Sequence, residues 1–299
     1  MKSILTVSLL AALTFSAPAQ TTVQQLWPHF VPDPQPTKGP EHGMSGGRLD
    51  PVITDISSPT ITMFPPDPAV ARTNAAVLVF PGGGYQFLAI KKVGTEPCAY
   101  FASLGITCFL VKYRVPLTGH YPEQKAMIED GQQAMRLVRS QAKTYGLDPE
   151  KIGVLGGSAG ANLATLLSTH YDDDRVLATP AAKDVPRTTT GEPVIALPSF
   201  AILCWPAYLY NATDKWSLDP VYAPKRFTPP TFLIQAEDDK SFGTNAMTYY
   251  AALMRVGIPA ELHMYATGGH GFGLHPDGFS QAHWTDLLTN WLRYNHIVP

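Results

Sequence analysis

The stretch Lys151-Ile-Gly-Val-Leu-Gly-Gly-Ser-Ala-Gly160 decides the fold. It begins as a short apolar run, turns glycine-rich, and leads into an alanine- and leucine-rich run from Ala161 to Leu167. That order reads as a buried strand, a tight turn and a helix leaving the turn. Gly156 and Gly160 flank Ser158 at two-residue spacing, as expected where the turn leaves no room for side chains. Such a turn lifts Ser158 Oγ out of the sheet and strains its backbone. The plain alternative for Ser158 is a helix N-cap. A serine hydroxyl is a weak nucleophile at neutral pH, so a chemical role requires a base and an orienting acid elsewhere in the chain.

Both are present downstream. Thr231-Phe-Leu-Ile-Gln235 reads as a strand ending in Ala236-Glu-Asp-Asp239, and Glu261-Leu-His-Met-Tyr265 as another leading to Thr267-Gly-Gly-His-Gly-Phe-Gly273. Asp239 is the expected acid, with its neighbour Asp238 as the alternative and Glu237 a distant third. His270 is the expected base. It follows an apolar strand and sits among Gly268, Gly269, Gly271 and Gly273, whereas His263 lies on the strand itself and His275 beyond the loop. Upstream, Ala75-Ala-Val-Leu-Val-Phe80 reads as a buried strand opening into Pro81-Gly-Gly-Gly-Tyr85. Consecutive glycines let backbone N–H groups approach a developing oxyanion. Gly83 is the leading donor, with Gly82 or Gly84 as its partner, and the N–H of Ala159 is expected to assist because it follows the nucleophile.

The composition suits a globular protein. The chain has 299 residues, 45% hydrophobic and 15% charged, enough for one large α/β core. A net charge of −2 without a basic run gives no footprint for nucleic acid. Met1-Lys2, the apolar stretch Ile4 to Phe15 and Ala17-Pro18-Ala19 have the form of a signal peptide over residues 1–19, with Gln20 as the first mature residue. A secreted or periplasmic location is therefore expected. The stretch is too short to span a bilayer, and no other segment is apolar enough, so the mature chain is not expected to insert into a membrane. Cys98, Cys108 and Cys204 are read as core cysteines, although a Cys98–Cys108 bridge is the one pairing left open. No cysteine–histidine spacing suggests a metal site.

Residues 20–50, rich in proline and glycine, read as an extended N-terminal arm over a catalytic domain spanning 51–299. Val52 to Phe64 reads as a strand or hairpin arm, Ile106 to Lys112 and Phe200 to Trp205 as further strands. Helices are expected at Glu96–Leu104, Pro122–Tyr145 and Asn245–Val256, the last burying Met247, Tyr250, Ala251 and Met254. A final helix carries the stripe Trp284, Leu287, Leu288, Trp291 and Leu292. Residues 172–198 read as a surface insertion, and 206–229 as an irregular segment placed to overhang the site. Asn211-Ala-Thr213 fits a glycosylation acceptor. Alternating strands and helices argue a mostly parallel sheet covered on both faces.

These motifs resemble the secreted esterase/lipase branch of the α/β-hydrolase superfamily, close to bacterial acetylxylan-esterase-like and feruloyl-esterase-like carbohydrate esterases. The likeness rests on Val79-Phe-Pro-Gly-Gly-Gly-Tyr85, Val111-Lys-Tyr-Arg-Val115, Gly146-Leu-Asp-Pro-Glu-Lys-Ile-Gly153, Gly156-Gly-Ser-Ala-Gly160 and Gly257-Ile-Pro-Ala-Glu-Leu-His263 running into Gly268-Gly-His-Gly-Phe-Gly-Leu274. The chain order Ser, Asp, His is that of the superfamily. Two departures are visible. Pro81 stands where many esterases of the superfamily have histidine, and the acid loop reads Gln235 to Phe242 where relatives often begin with histidine and end with valine. The resemblance implies an α/β-hydrolase fold with an eight-stranded sheet, a Ser158–Asp239–His270 triad, and an ester or acylated oligosaccharide as substrate, most simply acetyl on xylan. It calls for no cofactor and no metal. Tyr85 and Trp205 are candidate wall residues of the pocket. The rival readings are a prolyl-oligopeptidase-type peptidase, a generic small-ester carboxylesterase, and an inactive hydrolase fold that binds carbohydrate.

Overall fold

A computed structural model of the chain describes residues 22–45, 47–49, 51–274 and 280–299. The expected signal peptide, residues 1–19, and His275 lie outside the described residues. Among the described residues ten strands are present: β1 (Thr22–Gln25), β2 (His42–Met44), β3 (Val52–Thr54), β4 (Thr60–Phe64), β5 (Ala76–Phe80), β6 (Thr107–Lys112), β7 (Ile152–Gly157), β8 (Ala201–Cys204), β9 (Thr231–Ala236) and β10 (Ala260–Tyr265). Eight of them form one sheet in the order β1-β4-β6-β5-β7-β8-β9-β10, and β2 pairs with β3 separately. From β6 to β10 every pairing is parallel, while β1–β4 and β4–β6 are antiparallel. The eight-stranded, mostly parallel sheet is thus as the motifs implied.

The reason lies in the strand sequences. β5, Ala-Val-Leu-Val-Phe, is buried at every position, the mark of a strand covered on both faces. Its side chains divide by parity. Ala76, Leu78 and Phe80 join a core containing Met127, Met135, Leu163, Leu167, Tyr249 and Leu253. Val77 and Val79 join a second core with Phe101, Trp284, Leu288, Trp291 and Leu292. Helices α2 (Ala126–Ser140), α4 (Ala159–Thr169) and α5 (Asn245–Arg255) therefore cover one face, and α1 (Glu96–Ser103) and α6 (Trp284–Tyr294) the other. No helix among the described residues is long and apolar enough to cross a membrane.

Several local expectations change. The helix read over 122–145 begins only at Ala126 and breaks at Gln141 before a one-turn α3 (Ala142–Tyr145), which Gly146 terminates in the left-handed region. On α5 the buried side is Ala246, Tyr249, Ala252 and Leu253, while Met254 is 60% exposed. The period was legible but the phase was not, because the polar residues Asn245 and Thr248 are also buried there. Two cysteines depart from the unbridged reading: Cys98 of α1 and Cys108 of β6 form a disulfide. α1 packs across β6 and brings their Cα atoms to 5.2 Å, inside the range a bridge spans. Cys204 is free and buried.

The described residues of the N-terminal stretch, from Thr22 on, are tied into the fold by more than their strands. Trp27 Nε1 donates to Asp130 Oδ1 at 2.8 Å, and the buried Arg114 guanidinium donates to Asp130 and to the carbonyls of Pro32 and Asp33. Arg114 and Asp130 are both fully buried. Such a pair is a strong constraint once formed, because removing either partner strands the other charge at a cost of about 3–5 kcal/mol.

Candidate active site

The C-terminal ends of the parallel strands carry the site. Ser158 sits between β7 and α4 with φ 57° and ψ −121°, a conformation unusual for a side-chain-bearing residue and held in place by its surroundings. Its N–H donates to the Cys204 carbonyl at 3.0 Å, and its own carbonyl accepts from Ala161 and Asn162 in the first turn of α4. The flanking glycines have a steric reason. A Cβ on Gly156 would lie 2.0 Å from the Gly160 carbonyl oxygen, and one on Gly160 would lie 1.9 Å from that of Phe80. Strand, helix and oxyanion loop meet there backbone to backbone.

Three of the residues selected from sequence form one hydrogen-bonded chain. Ser158 Oγ donates to His270 Nε2 at 2.7 Å. The opposite nitrogen, Nδ1, donates to Asp239 Oδ2 at 2.6 Å. Asp239 is 5% exposed and also accepts from Gln235 Nε2 at 2.9 Å and from the backbone N–H groups of Ser241 and Phe242 at 3.1 and 3.0 Å. Burial works to raise its pKa. The hydrogen bond and charge of His270, with the two backbone donors, outweigh burial and leave the carboxyl below its ordinary value of 3.8.

The neighbouring Asp238 has another task. It is exposed, and its carboxylate accepts from Gly269 N–H at 2.7 Å and Gly268 N–H at 3.3 Å. It therefore anchors the loop that carries His270, while Asp239 meets the imidazole. Glu237 is exposed and contributes only its backbone N–H, to the Tyr265 carbonyl.

The glycine loop after β5 lies beside Ser158. A Cβ on Gly82 would fall 3.0 Å from Ser158 Cβ. Gly83, at φ 142°, has no space for a side chain, since its Cβ would meet the Phe87 carbonyl oxygen at 1.9 Å. The Gly82 carbonyl accepts from Ala89, and that of Gly83 from Gln86 and Phe87. Tyr113 Oη holds the Pro81 carbonyl at 2.6 Å. With the carbonyls turned into the loop, the N–H groups of Gly83, Gly84 and Ala159 have no hydrogen-bond partner among the described residues.

A cavity of about 530 Å³ opens over this chain, lined by Ser158, His270, the three loop glycines and a largely apolar wall that includes Phe87, Ala89, Val93, Trp205, Tyr208 and Phe242. Its size is ordinary for a small-molecule pocket. Trp205 is a wall residue as expected. Tyr85 is not: it is 1% exposed, lies beneath the loop, and donates its hydroxyl to Asn162 Oδ1 at 2.7 Å. Tyr208 and Phe242 were missed as wall residues. They stand in irregular segments with no periodicity to announce them, and only the overhang expected of 206–229 pointed toward the first.

Residues 77–274 match the model of a family described by its alpha/beta hydrolase fold. The chain belongs to that family. Among curated proteins it is similar to an acetylxylan esterase of Xylanibacter ruminicola, 27% identical over an alignment of 264 positions that covers 81% of this chain and 49% of the relative. It is also similar to an endo-1,4-beta-xylanase B of Butyrivibrio fibrisolvens, 28% identical over an alignment of 218 positions that covers 68% of this chain and 33% of the relative. The chain thus spans half or less of the length of these two relatives. Among solved structures, an acetyl ester-xyloside bifunctional hydrolase from Caldicellulosiruptor lactoaceticus superposes with a TM-score of 0.67 at 31% identity, covering 81% of this chain and 90% of that one.

Proposed function

We propose that the protein is a secreted serine carboxylic ester hydrolase that removes short acyl groups, acetyl foremost, from plant polysaccharide or oligosaccharide such as xylan. The observation that carries the reading is the unbroken hydrogen-bonded chain from Asp239 through His270 to Ser158, opening on a cavity beside backbone N–H groups that have no partner among the described residues. The sugar half is supported by the names of the relatives, an acetylxylan esterase and an acetyl ester-xyloside hydrolase.

In the proposed reaction Ser158 Oγ attacks the ester carbonyl while His270 Nε2 takes its proton. Asp239 fixes the imidazole tautomer and stabilises the imidazolium. The N–H groups of Ala159 and Gly83, with Gly84 beside them, hold the oxyanion; losing one such donor costs roughly 10²–10³-fold in rate. The imidazolium protonates the leaving alcohol, giving an acyl-enzyme. Water then attacks that ester, passing its proton through His270, and the acid leaves with Ser158 restored. Residues 1–19 serve as the export signal in this reading.

The test is release of acetate from acetylated xylan, beside p-nitrophenyl acetate and methyl ferulate, by wild type and Ser158→Ala. Serine-dependent acetate release from xylan is expected. Activity on p-nitrophenyl acetate alone would reduce the assignment to a carboxylesterase of another substrate, and silence on all three esters would remove it.

A further inference from the structure

The cavity lining combines apolar side chains, Phe87, Ala89, Val93 and Trp205 among them, with the polar ones of Gln86, Lys92 and Tyr208. Tyr208 brings a hydroxyl. This residue has φ 60°, a left-handed conformation that is uncommon for a side chain of its size. The surroundings over-determine that conformation. The Tyr208 carbonyl accepts from Asn162 Nδ2, the N–H of Ala207 donates to the Ser158 carbonyl, and the N–H groups of Leu209 and Tyr210 both donate to Asn245 Oδ1. The ring is wedged between His120, at 4.4 Å between centroids, and Phe242, at 5.2 Å. Phe242 in turn packs on His270 at 5.0 Å. The hydroxyl lies 3.5 Å from where a Cβ on Gly84 would stand, and it has no hydrogen-bond partner among the described residues. A strained residue held this firmly, aiming a free O–H into a cavity, is the kind of feature that points to function.

We infer that the Tyr208 hydroxyl recognises the alcohol half of the substrate by hydrogen-bonding a hydroxyl group next to the scissile ester. This inference rests on the esterase reading above. An acetyl group has a methyl to bury, and its carbonyl oxygen is taken by the oxyanion donors, so it suits the apolar part of the lining. A sugar alcohol presents hydroxyls on the carbons flanking the ester oxygen, and a phenol both donates to and accepts from such groups. The rings that link Tyr208 to His270 also put it on the side of the imidazole, which must reach the departing alcohol oxygen. Tyr208 is thus a specificity residue for polyhydroxylated alcohols, distinct from the groups that carry out the cleavage.

The experiment measures kcat/KM of wild type and Tyr208→Phe on three esters: a mono-acetylated methyl xyloside, its counterpart lacking the hydroxyl adjacent to the ester, and p-nitrophenyl acetate. The Phe ring keeps the packing, so the unfolding midpoint serves as the control for fold. One neutral hydrogen bond corresponds to about tenfold in kcat/KM. Wild type is expected to lose about tenfold on the deoxy ester. Tyr208→Phe is expected to be about tenfold slower than wild type on the hydroxylated ester and to lose no more than about twofold on the deoxy ester and on p-nitrophenyl acetate. A loss shared equally by p-nitrophenyl acetate would overturn the inference, as would no loss on the hydroxylated ester. Wild type that cleaves p-nitrophenyl acetate but no acetylated sugar would show that the sugar reading itself had failed, and the inference with it.

Discussion

Replacing Asp239 by asparagine isolates the acid of the proposed triad. The carboxylate accepts four N–H donors: His270 and Gln235 on Oδ2, Ser241 and Phe242 on Oδ1. An asparagine keeps the two backbone donors only if its Oδ1 faces them, which turns its NH2 toward His270 and Gln235. The imidazole must then accept at Nδ1 and carry its proton on Nε2, where it can no longer take the proton of Ser158. A wrong tautomer of this kind lowers kcat by about 10⁴, about 5.4 kcal/mol in barrier. Stability suffers far less. Gln235 Oε1 is buried without a partner among the described residues, so a turn of that amide lets it accept from the new NH2. One unpaired group replaces another, at a net cost of about 1 kcal/mol. The assay is initial rate on p-nitrophenyl acetate with thermal unfolding alongside, for Asp239→Asn and Asp238→Asn together. The second variant keeps one acceptor for Gly269 N–H on an exposed loop and is expected to lose less than about tenfold. Comparable losses in the two variants, or more than a tenth of wild-type activity in Asp239→Asn, would refute the assignment.

Three further outcomes are expected. Gly160→Ala forces a Cβ to within 1.9 Å of the Phe80 carbonyl oxygen and 2.9 Å of that of Pro81; calorimetry should show a loss of about 3 kcal/mol, with activity falling as the oxyanion loop shifts. Cys98→Ala/Cys108→Ala opens a short loop and should lower stability by about 2–3 kcal/mol in a denaturant titration, without a change in kcat. Asp239 has a depressed pKa in the folded chain, so its contribution is present above 3.8 and lost as pH falls through the folded value. Wild type should therefore lose stability more steeply than Asp239→Asn below about pH 4 in acid unfolding followed by fluorescence.

The parts of the site that sit at strand ends were legible in the sequence. Ser158 and Asp239 follow strands buried at every position and His270 a half-buried one, and glycines mark the turns that carry Ser158 and His270. The choice between Asp238 and Asp239 was not legible, because both lie on one turn and only the fold decides which faces the imidazole. The Tyr208 and Phe242 wall was hidden for a related reason: its members come from two irregular segments that the sheet brings together. The bridge between Cys98 and Cys108 depends on how α1 crosses β6, a packing angle that neither residue's surroundings encode. The buried side of α5 was misread because Asn245 spends its burial on two backbone N–H groups, Leu209 and Tyr210, instead of on apolar contact.

The antiparallel pairing of β1 (Thr22–Gln25) with β4 (Thr60–Phe64) bears on how the chain behaves in concentrated solution. As long as β1 is in place it occupies the antiparallel margin of the sheet, and Trp27 and Arg114 pin it from behind. A protease cutting between Gln35 and the glycine-rich stretch that follows would leave that margin held by noncovalent contacts alone. Once the fragment departs, β4 presents a row of unpaired amides and carbonyls, the kind of surface that recruits strands from other molecules. Cleavage in this segment is therefore expected to act on the margin of the sheet and not on the site, which lies at the ends of other strands.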